Sequence, residues 1–284
     1  MVRAVFLDID GTLRDEQKGV PKSAAEAVRL CRKKGIRVLI CTGRNLPSIQ
    51  PDVAALKTDG IIAGGGCWIR DGAVVLKDAF FQYEEIQELL DTLLQTGWPV
   101  ALENQEQIFM NRAAGLWYQT DFDHKLVGLG RKEKARRTRE NRISYEENIK
   151  AYRAERDRIH KLCIWTPGDA YTGITAMAQK TGHIIQQGMW NGWYYMELLP
   201  PGCGKGAAIR EWCRYRGILP KDTVGFGDGK NDIDMIRAVG TGVAMEDGDA
   251  KLKRCASRIC PPAVQDGILK ELIQLGVIKQ EENG

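Results

Sequence analysis

Residues 2–9 form an almost continuous apolar run, the pattern of a central parallel strand buried on both faces. After it, Ser23 with Glu26 has the form of a capping box. Ala24, Ala27, Val28 and Cys31 then recur at helical spacing, and Gly35 offers a stop. Ile36–Cys41 reads as a second buried strand, Pro47–Leu56 as a helix and Gly60–Ala63 as a third strand. This alternation predicts an α/β fold with a doubly wound parallel sheet.

Near residue 80 the rhythm changes. Ile86, Leu89, Leu90, Leu93 and Leu94 predict an amphipathic helix, broken at Gly97-Trp98-Pro99. Strands are expected at Val100–Glu103, Gln107–Asn111 and Lys161–Thr166, a helix over Ala170–Gly182, and strands at His183–Gln187 and Trp193–Leu198. This mixture predicts an α+β module inserted into the first. After Pro200-Pro201-Gly202 the core rhythm resumes, with helices over Lys205–Arg216, Asp232–Val239, Asp249–Ser257 and Val264–Leu275. Strands fall at Thr223–Phe226 and Gly242–Met245. The expected division is residues 1–80 and 199–284 for the core and 81–198 for the insertion.

At 284 residues, 43% hydrophobic and 27% charged, the chain has the composition of an ordinary globular protein. No apolar run is long enough to span a bilayer, and the N-terminus reads as neither signal peptide nor anchor. The eight cysteines form no CxxC pair, and the three histidines lie far apart, which excludes a zinc site of ordinary spacing. Cysteines in apolar contexts, such as Cys41 and Cys163, fit reduced thiols in a cytoplasmic protein. The net charge of +4 is uneven. Residues 131–142 carry seven basic and two acidic side chains, leaving about −1 for the remainder. A nucleic-acid partner would rest on that run alone. A solvated charged face is the plainer reading, a basic lip for an anionic substrate the sharper one.

Four short motifs fall at strand ends or helix starts, where open α/β sheets gather their ligands. Asp8 and Asp10 follow the first strand, Thr42, Gly43 and Arg44 the second. Lys205 opens a helix, and Gly227-Asp228-Gly229-Lys230-Asn231-Asp232 follows a third strand. Carboxylates at Asp8 and Asp10 repel unless a cation lies near. Four carboxylates (Asp8, Asp10, Asp228 and Asp232) around one crevice call for a hard divalent cation, with Mg2+ the usual choice. A hydroxyl, an ammonium and glycine-freed backbone N–H groups suit a phosphate. One carboxylate can then act as nucleophile and the second as acid and base. Each motif alone is weaker: carboxylate–glycine clusters are often turns, and calcium-binding turns look like GDGKND. A lysine at a helix start opposes the helix dipole, which singles out Lys205.

Taken together, DIDGT, TGR, GCGK and GDGKND resemble the haloacid dehalogenase superfamily of phosphatases. More narrowly, they resemble its Cof-type hydrolases, whose C2B cap is inserted between the second and third motifs. The tail VAMEDGDAKLKRCAS and Asp266-Gly267 are similar as well. The resemblance implies a Rossmann-like core and a C2B cap over 81–198. It implies Asp8 as nucleophile and Asp10 as general acid and base with its backbone carbonyl on Mg2+. Thr42, Gly43 and Lys205 would hold the phosphoryl group, with Asn231 orienting it or Lys205. Arg44 would contact substrate, and Asp228 and Asp232 would serve the metal. Ala63-Gly64-Gly65-Gly66-Cys67 departs from the Asn-Gly common in relatives. PPGCGKG is no P-loop, because Leu199 and Gly206 stand where that motif needs Gly and Ser/Thr.

The expected activity is a Mg2+-dependent phosphatase of small phosphorylated metabolites, sugar phosphates first, acting through an aspartyl-phosphate. A phosphomutase on the same fold and an idle phosphometabolite sensor stay open. Trp190, Trp193, Tyr194 and Tyr195 could line a pocket mouth, although at strand spacing they also read as sheet core.

Overall fold

A computed structural model describes residues 1–190 and 192–279. The chain begins with β1 (Ala4–Leu7), α1 (Lys22–Lys33), β2 (Arg37–Cys41), α2 (Pro51–Ala54), β3 (Gly60–Ala63), β4 (Trp68–Asp71) and β5 (Val74–Asp78). Then come α3 (Tyr83–Thr96), β6 (Val100–Glu103), β7 (Ile108–Met110), α4 (Arg112–Leu126) and α5 (Arg131–Glu140). After these follow β8 (Lys161–Pro167), α6 (Tyr171–Thr181), β9 (His183–Trp190) and β10 (Trp193–Leu199). The last part holds α7 (Lys205–Arg216), β11 (Thr223–Gly227), α8 (Ile233–Ala238), β12 (Thr241–Met245), α9 (Ala250–Cys255), β13 (Arg258–Cys260) and α10 (Gly267–Gln274). Two compact units result. Met1–Gly43, Gln50–Leu76 and the chain from Gly204 on make the first; Arg44–Ile49 and Lys77–Cys203 make the second.

The first unit is built on a sheet of order β13-β12-β11-β1-β2-β3-β4-β5, parallel from β13 to β3 and antiparallel between β3 and β4. All four residues of β1 are buried, which is why it reads as an unbroken apolar run. On one face, Phe6 meets Trp212 of α7 edge to face, with ring centroids 5.4 Å apart, beside Leu39, Ile62 and Met235. The Trp212 indole N–H donates to Asp71 Oδ2 at 2.6 Å, and Arg216 donates to both Asp71 oxygens, so a half-buried ion pair ties α7 to β4.

Two local expectations are corrected here. No capping box opens α1: Pro21 stands at its N-cap, Ser23 lies inside the first turn, and Glu26 pairs with Arg29 instead. Proline at that point presets the entry angle. The helix expected over 47–56 is two pieces, a single 3-10 turn at Leu46–Ser48 and the short α2. Pro51 separates them. It lacks an N–H and drives Gln50 into extended backbone (φ −68°, ψ 147°).

The second unit holds an antiparallel sheet of order β7-β6-β8-β10-β9. Val100, Leu102, Leu162, Ile164, Met196 and Leu198 face α3 and α6, burying Ile86, Leu89, Leu90 and Leu93. On the opposite face Trp165 packs with Trp117 and Tyr118 of α4 and with Trp193 and Tyr195 of β10. Tyr194 points to the other side and stacks on Tyr171, centroids 4.1 Å apart. Trp193, Tyr194 and Tyr195 are therefore packed sheet residues; the side chain of Trp190 lies outside the described residues. Helix α4 has no sequence-based counterpart above. Its apolar residues form no single stripe, and the signal for its start is Asn111, whose side chain accepts the Ala114 N–H at 2.9 Å. The basic run forms α5, where Glu133 and Glu140 pair with Arg136 and Arg137. No helix among the described residues is long and apolar enough to cross a membrane.

Candidate active site

Strands β11, β1 and β2 lie side by side and end at the same edge. The parallel register sets Leu7 between Phe226 and Ile40, so the residues that follow leave the sheet together: Asp8 after β1, Thr42 after β2 and Asp228 after β11. Asp8 N–H still bonds the Phe226 carbonyl (3.1 Å), and Thr42 N–H bonds the Ile62 carbonyl (2.8 Å). Carboxylate and hydroxyl side chains are thus carried on backbone that the sheet holds rigid.

Lys205, the first residue of α7, brings the motifs together. It is only 3% exposed, and its Nζ donates to Asp8 Oδ1 at 2.6 Å and to Asp232 Oδ1 at 2.5 Å. The second oxygen of Asp232 accepts the backbone N–H groups of Asp228 (3.1 Å) and Gly229 (3.0 Å), which fixes the glycine loop. Thr12 Oγ1 donates to Asp228 Oδ1 at 3.1 Å. Asp8, Asp228 and Asp232 each place a carboxylate oxygen within 4.8 Å of the others.

Three carboxylates against one ammonium leave the cluster with excess negative charge. Burial, and next the Asp232 charge, raise the Asp8 carboxyl well above its ordinary range, with Lys205 offsetting part of the rise. The same causes push Asp228 up to about 7. For Lys205, burial favours the neutral amine, but the Asp232 and Asp8 carboxylates outweigh it and hold the ammonium charged. Oxygen-only donors with surplus negative charge are the donor set of a hard divalent cation, and Mg2+ fits it.

The remaining sequence candidates fall as follows. Asp10 is half-buried and outside the three-carboxylate group, yet its charge reaches Asp8 and Asp228 and raises both. Gly43 directly follows Thr42. Arg44 belongs to the second unit, where its Nη1 donates to the Ser48 carbonyl at 2.9 Å. Asn231 sits in the turn Lys230–Asp232, its amide oxygen folded over Gly229. The contacts that fix Lys205 come from Asp8 and Asp232.

Two contributors escaped the sequence reading. Thr12, inside the DIDGT motif, bonds Asp228, and Asp234, two residues beyond Asp232, accepts the Gly206 N–H at 2.8 Å. The only local signal for either is its place in or beside a motif. The run that departs from Asn-Gly forms a turn over Gly64–Gly66. Gly65 has φ +66°, a left-handed conformation that glycine takes freely and asparagine tolerates.

A family model described as haloacid dehalogenase-like hydrolase matches residues 5–272. The Bacillus subtilis (strain 168) protein YkrA is 26% identical over 281 residues, which cover 98% of this chain and 99% of YkrA. The pyridoxal phosphate phosphatase YbhA of Escherichia coli (strain K12) is 25% identical over 278 residues, covering 94% of this chain and 96% of YbhA. Among solved structures, the subclass IIB sugar phosphatase BT4131 superposes with a TM-score of 0.76 at 24% identity. The match covers 98% of this chain and all of that one, a likeness of fold.

Proposed function

The chain belongs to the haloacid dehalogenase-like hydrolases, and on that premise we propose that it is a Mg2+-dependent phosphatase acting on small phosphorylated metabolites. The observation that carries the proposal is the Lys205 ammonium, buried between Asp8 and Asp232 within a three-carboxylate group. Such a site holds an anion-transferring nucleophile beside a fixed positive charge.

In the proposed reaction, one Asp8 oxygen attacks phosphorus as the bond to the ester oxygen breaks, and Asp10 gives its proton to that leaving oxygen. Asp10, now a carboxylate, takes a proton from water as the water oxygen attacks phosphorus. The Asp8–phosphorus bond breaks, and inorganic phosphate leaves. Thr42 and Gly43 hold phosphoryl oxygens, Lys205 holds one and steadies Asp8, and Asn231 orients the group. Asp8 and Asp228 are the carboxylates assigned to Mg2+, with the backbone carbonyl of Asp10, while Asp232 keeps Lys205 and the loop in place. When bound, Mg2+ neutralises charge on the phosphoryl group and the surrounding carboxylates.

The second unit is assigned as a C2B-type cap that selects substrate, with Arg44 a substrate-binding candidate. Sugar phosphates lead as substrate class. YbhA acts on pyridoxal phosphate and BT4131 is a sugar phosphatase, so both classes belong in the test. A reducing cytoplasm suits eight cysteines that form no disulfide. A phosphomutase would share this site and differ only in returning the phosphoryl group to a sugar. The deciding experiment incubates the purified protein and Mg2+ with a panel of phosphometabolites. Stoichiometric free phosphate supports the proposal. An accumulating isomeric sugar phosphate supports the mutase, and no turnover of any ester, including an aryl phosphate, supports an idle sensor.

A further inference from the structure

Helix α7 starts badly by its own sequence. Its N-cap is Gly204, which has no side chain to accept an orphan N–H, and its first residue is a lysine, whose charge opposes the helix dipole. Yet this is the residue whose ammonium must stay within hydrogen-bond reach of Asp8. Something outside the helix has to hold the turn.

Two elements do so. Asp234, in the first turn of α8, accepts the N–H of Gly206, the second residue of α7, at 2.8 Å. Its carboxylate supplies from another helix the bond that an N-cap side chain would make, and it adds a negative charge where the dipole favours one. The approach is possible because position 206 is glycine: a β-carbon there would lie 2.3 Å from the Asp234 carbonyl oxygen. From the other side comes the turn Gly64–Gly66. Gly66, at φ +98°, lies so close that a β-carbon would come within 2.2 Å of the Gly204 carbonyl oxygen. Close approach thus explains glycine at position 66, the last of the three-glycine run, and at position 206, after Lys205.

We propose that Asp234 is a positioning residue for Lys205, and that Asp234 and Gly66 together clamp the Gly204–Gly206 turn so that Nζ stays on Asp8. The inference rests on the phosphatase reading of the site. Asp234 is otherwise exposed, so its removal costs the fold little, while a shift of about 1 Å at a catalytic group can cost up to about a hundredfold in rate.

The test compares wild type, Asp234→Ala, Asp234→Asn and Gly66→Ala for p-nitrophenyl phosphate hydrolysis with Mg2+, thermal midpoint and crystal structure. Asp234→Ala is expected to lower kcat about 10- to 100-fold with KM within about threefold, and to move Nζ off Asp8 in its structure. Asp234→Asn, which keeps an acceptor oxygen, should recover most of kcat, because the hydrogen bond and not the charge sets the turn. Gly66→Ala should displace the same turn from the other side and lower kcat without any change to Asp234. Should Asp234→Ala not fold, Gly66→Ala and Asp234→Asn carry the comparison. An unmoved Lys205 with undiminished kcat in Asp234→Ala or Gly66→Ala overturns the proposal. So does an Asn variant as slow as the Ala one. Wild type inactive on every ester, with Lys205 displaced in the Asp234→Ala structure, would instead overturn the phosphatase reading and leave the clamp standing.

Discussion

The Lys205 Nζ and the Asp8 Oδ1 lie 2.6 Å apart, and both side chains are buried. A charge pair of this kind contributes little to stability by itself, because desolvating both ions offsets most of their attraction. In the proposed reaction its use is to aim the Asp8 oxygen and to offset part of the burial that raises the Asp8 carboxyl. Lys205→Met is therefore expected to lower kcat by roughly two to three orders of magnitude, as removal of a preorganised positive group does. Steady-state phosphate release measures this, and a loss below about tenfold would remove Lys205 from the machinery.

Removing the metal gives a second prediction, with a definite sign in pH. The Asp228 carboxyl titrates at about 7 and that of Asp8 is raised as well, against about 3.8 in the unfolded chain. Between those limits the folded metal-free protein binds more protons than the unfolded one, so its stability falls as pH rises through about 7. Bound at these carboxylates as proposed, Mg2+ would relieve that repulsion and compete with the protons. Mg2+ should thus raise the thermal midpoint more at pH 8 than at pH 5.5, and EDTA should abolish turnover reversibly. Equal Mg2+ shifts at both pH values would contradict the assignment of these carboxylates to the metal.

Asp71 behaves in the opposite sense. Burial would raise its carboxyl, but hydrogen bonds from Arg216 and Trp212 outweigh burial and hold it below the usual 3.8. Its stabilisation is present above that value and lost as pH falls through the lower folded-state pKa. Asp71→Asn should cost about 1–3 kcal/mol at pH 7, read by urea denaturation, since Trp212 and Arg216 lose a charged acceptor. The difference from wild type should shrink below pH 4. A constant difference down to pH 3 would assign the loss to packing instead.

Much of this site is legible in the sequence, for a physical reason. A central parallel strand is buried on both faces, so β1 reads as continuous apolar residues, and its edge announces Asp8 at once. The parallel neighbours β2 and β11 have the same signature, which places Thr42 and Asp228 beside it. What escapes is whatever depends on approach between distant segments. Asp234 meets Gly206 across 28 positions, and Gly66 meets Gly204 across the fold. The buried charge cluster in the second unit, with Lys161 at 3.1 Å from both Glu103 and Glu197, is equally invisible, because charged residues in a strand ordinarily read as a wet face. The break in the helix expected over 47–56 has a local cause, because Pro51 stands in its middle.

Asp8 is proposed as the nucleophile toward phosphorus, and the direct test is phosphate release by wild type and Asp8→Asn side by side with Mg2+. Wild type should turn over steadily and the variant should lose roughly a thousandfold or more while still folded. Turnover near wild type in Asp8→Asn would contradict it.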